Sequence, residues 1–128
     1  MPEKHLFEYA VLRVVPRVER EEFLNVGVIL YCRAQGFLHT RCHLPEDRLQ
    51  AFAGPDLEMD ELQQRLKAFE KICRGKPEGG VIGRLSLAER FRWLTATRST
   101  VVQTSATHPG LCEDAAATLE RLYAQLVG

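Results

Sequence analysis

Runs of apolar residues along the chain predict four β-strands. The first three lie close together and the fourth lies much further on, at residues 6–15, 25–32, 37–44 and 100–105. Gly27 falls inside the most apolar run, which indicates a β-bulge or a close approach of a neighbouring backbone. A turn at residues 33–36 predicts that the second and third strands pair as a hairpin.

Two longer segments with apolar residues three and four positions apart predict amphipathic helices. The apolar face of the first consists of Leu62, Leu66, Phe69 and Cys73. That helix ends at Gly75, and the second covers residues 113–127. The sequence His-Pro-Gly at residues 108–110 predicts a turn between the fourth strand and this last helix.

Two shorter helices are predicted from the residues at their first turns. Pro45 opens one of them, where its missing N–H costs no hydrogen bond, and this helix ends near Gly54. The other covers residues 87–95, because Ser86 and Glu89 have the spacing of a capping box.

These elements predict a single α+β domain over residues 1–128. Its sheet would be small and antiparallel, with about four strands, packed on one face by the two longer helices and completed by one or two short helices. A chain of 128 residues, 45% of them apolar, is long enough to bury such a core.

Composition and charge exclude several classes of protein. Lys and Arg together number 17, as do Asp and Glu, so the chain lacks the basic excess of a nucleic-acid-binding protein. No apolar run approaches the roughly 18 residues of a membrane span, and the first residues do not read as a signal peptide. We therefore expect a cytoplasmic protein with neither a membrane nor a nucleic acid as its partner.

The cysteines and histidines predict no metal site, no cofactor and no catalytic residue. His39 and His43 share one face of a strand about 13 Å apart, too far to share a metal ion, and Cys42 points the other way. The four cysteines show no C-x-x-C spacing, so we expect reduced thiols that fill the core. The pair of His108 and Cys112 is either an activated thiol at the start of the last helix or a cysteine packed under a turn.

An arginine segment is the strongest candidate for binding. Arg98, Ser99 and Thr100 combine a forked donor with two hydroxyls, a set suited to a carboxylate or a phosphate. His108 follows the same predicted strand and would approach the same edge. Arg13 is a charge inside an apolar strand, so it too needs a partner.

The alternative is that the arginines are structural. Those in the segment from Arg90 to Arg98 would then pair with carboxylates or cover apolar surface. Their carboxylate partners would be Glu89, Glu113 or Glu120, and that of Arg13 would be Glu8 or Glu22.

Two segments resemble a known family of bacterial proteins. The first reads YAVLRVVP from Tyr9 and FLNVGVIL from Phe23, and the second reads RFRWLTATRSTVVQ from Arg90 and continues to HPG at residues 108–110. They are similar to the domain of unknown function 3037 family, over nearly the whole chain. The second segment is the more specific, because Trp, Arg-Ser-Thr and His-Pro-Gly recur there in one order.

The resemblance implies a set of motif positions and a class of partner. The positions are Arg13, Asn25, Gly27, Trp93, Arg98, Ser99, Thr100 and His108. Some members are encoded beside a HipA-like kinase, which implies a protein partner of that kind or a regulatory role. The family implies no particular activity.

The sequence therefore predicts a non-enzymatic protein-interaction or regulatory domain. Its working surface would consist of Arg98, Ser99, Thr100 and His108, with Arg13 and Asn25 as neighbours. One alternative is a small enzyme or binding protein that takes a phosphorylated or carboxylated ligand near Arg98 and His108. Another is a structural subunit that buries an exposed sheet edge or helix face in an oligomer.

Overall fold

Five antiparallel strands form one sheet in the computed structural model, which describes residues 3–16, 22–53, 58–75, 77–96 and 101–127. The strands are β1 (His5–Val14), β2 (Leu24–Cys32), β3 (Phe37–Cys42), β4 (Val102–Thr104) and β5 (His108–Cys112). Their order is β3-β2-β1, and both β4 and β5 pair with the remaining edge of β1. The predicted hairpin is confirmed, with Gly36 at a φ of 58° in its turn.

Ser105 joins the two short strands that share the edge of β1. Its backbone N–H donates to the carbonyl of Val11 at 2.8 Å, and its hydroxyl accepts from the Val11 N–H at 2.9 Å. Because the hydroxyl replaces a ladder carbonyl, β1 stays paired where β4 ends and β5 has not yet begun.

The prediction of a turn at residues 108–110 is wrong, because these residues begin β5. Pro109 lies opposite Glu8, and a strand position without an N–H is accepted here because β5 is at the edge of the sheet. Gly110 lies opposite Phe7, and a Cβ added to Gly110 would stand 2.5 Å from an atom of that ring. The Pro-Gly pair is therefore explained by its place in the sheet.

Gly27 was predicted to mark either a β-bulge or a close approach of a neighbouring backbone, and both are present. The pairing of β1 with β2 shifts register between Leu12, opposite Gly27, and Arg13, opposite Asn25. A Cβ at Gly27 would lie 2.6 Å from the Cβ of Cys42, so the glycine also permits a close approach of β3. The bulge sets the pairing of Arg13 with Asn25.

Four α-helices and one short 3-10 helix complete the fold of the described residues. They are α1 (Glu46–Ala53), α2 (Met59–Arg74), the 3-10 helix (Ile82–Arg84), α3 (Leu87–Leu94) and α4 (Ala115–Leu126). The predicted apolar face of α2 is buried, and Gly75 ends this helix at a φ of 88°. At the start of α3 the Ser86 hydroxyl accepts from the Glu89 N–H at 3.2 Å and donates to its carboxylate at 2.9 Å.

The two longer helices lie on opposite faces of the sheet, so the prediction of one covered face is wrong. One core cluster joins α1, α2 and α3 to the sheet through residues such as Leu49, Leu66 and Phe91. The other joins α4 to the opposite face, where Leu119 packs in a cluster with Leu30. Both faces are covered because β1 and β2 carry apolar side chains on both sides. The α+β architecture is confirmed, and no described helix could cross a membrane.

Candidate functional site

The structure brings two of the predicted binding residues together. Arg13 and Asn25 lie directly opposite each other on β1 and β2. His108 lies opposite Tyr9, four residues along β1 from Arg13, which is about 13 Å in a strand. Residues 98–100, the centre of the predicted surface, lie outside the described residues.

Arg13 has no carboxylate partner among the described residues, so the predicted pairing with Glu8 or Glu22 is wrong. The ring of Phe23 lies against the guanidinium instead, with 4.1 Å between Cζ of Arg13 and the ring centroid. The Nε atom of Arg13 is buried and makes no hydrogen bond. A partly buried cation whose N–H donor has no acceptor is energetically unfavourable unless another group binds it.

Asn25 supplies the complementary unused atom. Its Nδ2 group donates to the carbonyl of Leu126, at the last residue of α4, over 3.2 Å. This bond fixes the orientation of the amide, and the buried Oδ1 atom is left without a hydrogen-bond partner. We call the two residues the Arg13–Asn25 pair: one unused donor and one unused acceptor, side by side.

His108 belongs to a different contact. Its ring lies 5.3 Å from that of Tyr9, tilted by 41°, and the residue is exposed. It is on the same strand as Cys112, but Cys112 is packed in the α4 cluster. Burial raises the pKa of the Cys112 thiol, so this pair is not an activated thiol.

Two further cysteines, Cys42 on β3 and Cys73 on α2, are also protonated groups with raised pKa values. Burial raises the pKa of Cys42 to about 12, with a further rise from Glu70, whose carboxylate accepts from the thiol at 3.3 Å. Burial raises the pKa of Cys73 to about 11, while Thr40 lies 3.2 Å from its sulfur. All four cysteines are free, and no group of three or more metal-ligating side chains converges in the described part of the chain.

Arg90 has a structural role that the sequence did not reveal. It is buried, and its Nη1 group donates to the carbonyls of Ile72 and Cys73, at 2.8 Å each, while Nε donates to Leu85. Those carbonyls belong to the last turn of α2, whose backbone acceptors have no partners within the helix. Arg90 therefore caps α2.

A groove at the other end of β1 is the site that sequence reasoning missed. Leu6 and Leu111 lie opposite each other on β1 and β5, and they are 62% and 63% exposed. The alternation of β1 places Leu6 on the face that α1, α2 and α3 cover further along. The sequence does not reveal that Leu6 and Leu111 are paired, because residues 108–110 are predicted to form a turn and not a strand.

This groove has an apolar floor and a positive rim. Its volume is about 610 Å³, and its walls come from the start of β1, the end of β2 and the exposed side of α3. The lining residues include Leu6, Tyr31, Arg33, Ala88 and Arg92. Glu8 also lines it, so two arginines less one glutamate leave a formal charge of +1. Neither Arg33 nor Arg92 forms an ion pair within the described residues. We call it the Leu6 groove.

Comparison with known proteins identifies the family. The family model described as protein of unknown function DUF3037 matches residues 9–127. The chain belongs to this family. No curated protein and no solved structure matches the chain. The DUF3037 match confirms the resemblance found in the sequence.

Several of the motif positions that this resemblance marks have structural explanations. Among these positions Gly27 lies at the bulge, and within the matched His-Pro-Gly segment Gly110 makes room for the Phe7 ring. Arg13 and Asn25 differ from them, because each keeps an unused polar atom. Within the DUF3037 chain these two residues are the motif positions at which the described structure leaves a buried polar atom without a hydrogen bond.

Proposed function

We propose that this DUF3037 chain is a non-enzymatic protein-interaction domain that uses the Leu6 groove as its docking surface. One observation carries the proposal: two large apolar side chains, each more than 60% exposed, lie opposite each other beside the groove. Exposed apolar surface of this kind, bordered by polar residues, is typical of protein interaction sites.

The partner that fits the groove is an amphipathic segment with apolar and acidic side chains. The apolar side chains would cover Leu6 and Leu111, and a carboxylate would meet Arg33 and Arg92, which have no ion-pair partner among the described residues. Arginine at the rim of an interface binds carboxylates with two parallel hydrogen bonds.

Docking through side chains fits this surface better than the addition of a strand. β5 is at the edge of the sheet, but Pro109 interrupts its row of N–H donors. A partner strand would find an incomplete ladder there. A helix or turn that inserts apolar side chains into the groove needs no ladder.

The identity of the partner is a further part of the proposal. The resemblance implies a HipA-like kinase, so an acidic segment of such a kinase is the first candidate, and the domain would act on it as a regulator. A cytoplasmic location is part of the same proposal.

Site-specific photocrosslinking in the native cells tests the docking surface. A photoreactive residue at position 111, opposite Leu6, should crosslink one protein. The same residue at position 81 should not, because Val81, although 78% exposed, neither lines the groove nor lies opposite Leu6. The crosslink should disappear in Leu6→Ser and Arg92→Glu variants and persist in Val81→Ser.

The result also distinguishes the partners. A crosslinked protein lost with Arg92→Glu supports a heterologous, acidic partner, and its mass spectrum shows whether it is a kinase. A crosslink between two copies of the chain would assign the groove to self-association and overturn the proposal, as would equal crosslinking at positions 81 and 111.

A further inference from the structure

The Arg13–Asn25 pair lies on the opposite face of the sheet from the Leu6 groove. Arg13 lies an even number of positions along β1 from Phe7 and Tyr9, so the three side chains point to the same face of the sheet. Phe7 and Tyr9 pack in the α4 cluster. The bond from Asn25 to the end of α4 places the pair on that same face. Whatever the pair does is therefore separate from the proposed docking surface.

The pair combines a buried donor with a buried acceptor. Arg13 Nε and Asn25 Oδ1 are both inaccessible, and neither has a hydrogen-bond partner. More than nine-tenths of such groups are paired in folded proteins, because an unpaired buried polar atom costs about 1–3 kcal/mol. The two atoms lie on directly opposed residues but do not bond to each other, so a third group that carries both an acceptor and a donor would satisfy both.

The charges around the pair restrict the chemistry of that group. The guanidinium of Arg13 favours an anion, and it has no carboxylate partner in the described chain. The carbonyl end of α4, which Asn25 contacts, carries partial negative charge and favours a donor or a cation. A single cation next to this negative end suits a monoanion better than a phosphate with two charges.

We propose that the Arg13–Asn25 pair binds a small carboxylate with a hydrogen-bond donor on the adjacent carbon, as in an α-hydroxy acid or an α-amino acid. The carboxylate accepts from Arg13 Nε, and the neighbouring hydroxyl or ammonium group donates to Asn25 Oδ1. Phe23 lies over the guanidinium of Arg13 and is itself 45% exposed, so rotation of this side chain would open one side of the guanidinium to a ligand.

Nuclear magnetic resonance of the full chain tests this directly, because the Arg13 Nε–H group gives its own signal. The probes are glycolate, glycine and acetate, compared at equal ionic strength with sodium chloride. Glycolate or glycine should shift the signal saturably and bind about fivefold more tightly than acetate, which lacks the donor. The stronger of the two shows whether the donor is a hydroxyl or an ammonium group.

Three variants locate the binding. Arg13→Met should weaken glycolate or glycine binding by about tenfold or more, since a hydrogen bond to a charged group is lost. Asn25→Ala should reduce their affinity to that of acetate. Arg48→Met removes an exposed arginine of α1, on the opposite face of the sheet, and should leave binding unchanged.

Four results would overturn the proposal. An unshifted Arg13 signal with every probe would mean that water alone bridges the two atoms. Equal binding of acetate would remove Asn25 from the site. Binding that survives Arg13→Met, or that is lost in Arg48→Met, would place the anion elsewhere. The signal of the wild-type chain decides the question even where a variant fails to fold, and none of these results bears on the Leu6 groove.

Discussion

Arg90 is a charged residue whose partners are all backbone carbonyls. It holds the last turn of α2 through Ile72 and Cys73 and fixes Leu85, which precedes α3. Because the side chain is buried, its removal takes a charged donor away from these carbonyls, although that of Ile72 still accepts from the Gly75 N–H at 3.1 Å. The guanidinium of Arg90 donates several hydrogen bonds in a fixed planar geometry, which the single ammonium group of a lysine does not reproduce.

We expect Arg90→Lys to lower the free energy of unfolding by about 2–3 kcal/mol, measured by urea denaturation. The matched control is Arg92→Lys two residues later, where the side chain is exposed, and its effect should stay within about 0.5 kcal/mol. Equal effects of the two substitutions would show that Arg90 does not cap α2.

Gly110 provides a second test at a single residue, because its missing side chain is what admits the Phe7 ring. Gly110→Ala should cost about 1–3 kcal/mol of unfolding free energy, as overpacking does in a dense core. In a Phe7→Leu background the same substitution should cost much less, and thermal unfolding of the four chains measures this coupling. An unchanged cost would rule out the ring as the cause.

At the scale of elements, the contact between β3 and α2 contains two thiols that are protonated when folded. The pKa is raised to about 12 for Cys42 and to about 11 for Cys73, from an ordinary value near 9. Above pH 9 the unfolded chain loses both protons while the folded chain keeps them. Stability from these thiols is therefore complete below pH 9 and is lost as the pH rises toward 11 and 12.

We expect each thiol to contribute a decrease of about 1.4 kcal/mol per pH unit to the unfolding free energy above pH 9. A Cys42→Ser, Cys73→Ser variant keeps both hydrogen-bonding positions without a group that titrates there. Its unfolding free energy should fall less steeply between pH 9 and pH 10.5. Parallel curves for the two chains would contradict the raised pKa values.

The elements themselves were largely predictable where local rules decide them. The capping box at Ser86 and the glycine after α2 act within a few residues, and both predictions are confirmed. The first strand of the edge pair, β4, was also found. β5 was missed because Pro109 and Gly110 are unfavourable in an isolated strand, and only an edge position and the Phe7 ring accommodate them.

The candidate sites depended on contacts that a sequence does not show. Arg13 was singled out as a charge inside an apolar strand and Asn25 from the resemblance, but their opposition follows from a bulge whose register no local pattern determines. The pairing of Leu6 with Leu111 beside the Leu6 groove required β5 to be a strand. Residues 98–100 and His108 stay predictions, and the described structure places His108 apart from Arg13.

At the scale of the whole molecule, the sheet separates two cores. Each helix has an apolar face that its sequence predicts, but periodicity does not say which side of a sheet that face covers. The apolar residues on both sides of β1 and β2 require cover on both, so α2 and α4 take opposite faces. Changes in one layer should then leave the packing of the other intact.

A double-mutant cycle across the sheet tests this arrangement. Leu66 of α2 and Leu119 of α4 are each buried, 4% and 5% exposed, in different clusters. We expect the costs of Leu66→Val and Leu119→Val to add within about 0.5 kcal/mol in urea unfolding. The comparison pair, Leu119→Val with Leu30→Val, lies within one cluster and should show a coupling above about 0.5 kcal/mol. If the first pair coupled as strongly as the second, the two helices would share one core. The sheet would then not separate two layers, and the Arg13–Asn25 pair would not be separate from the Leu6 groove.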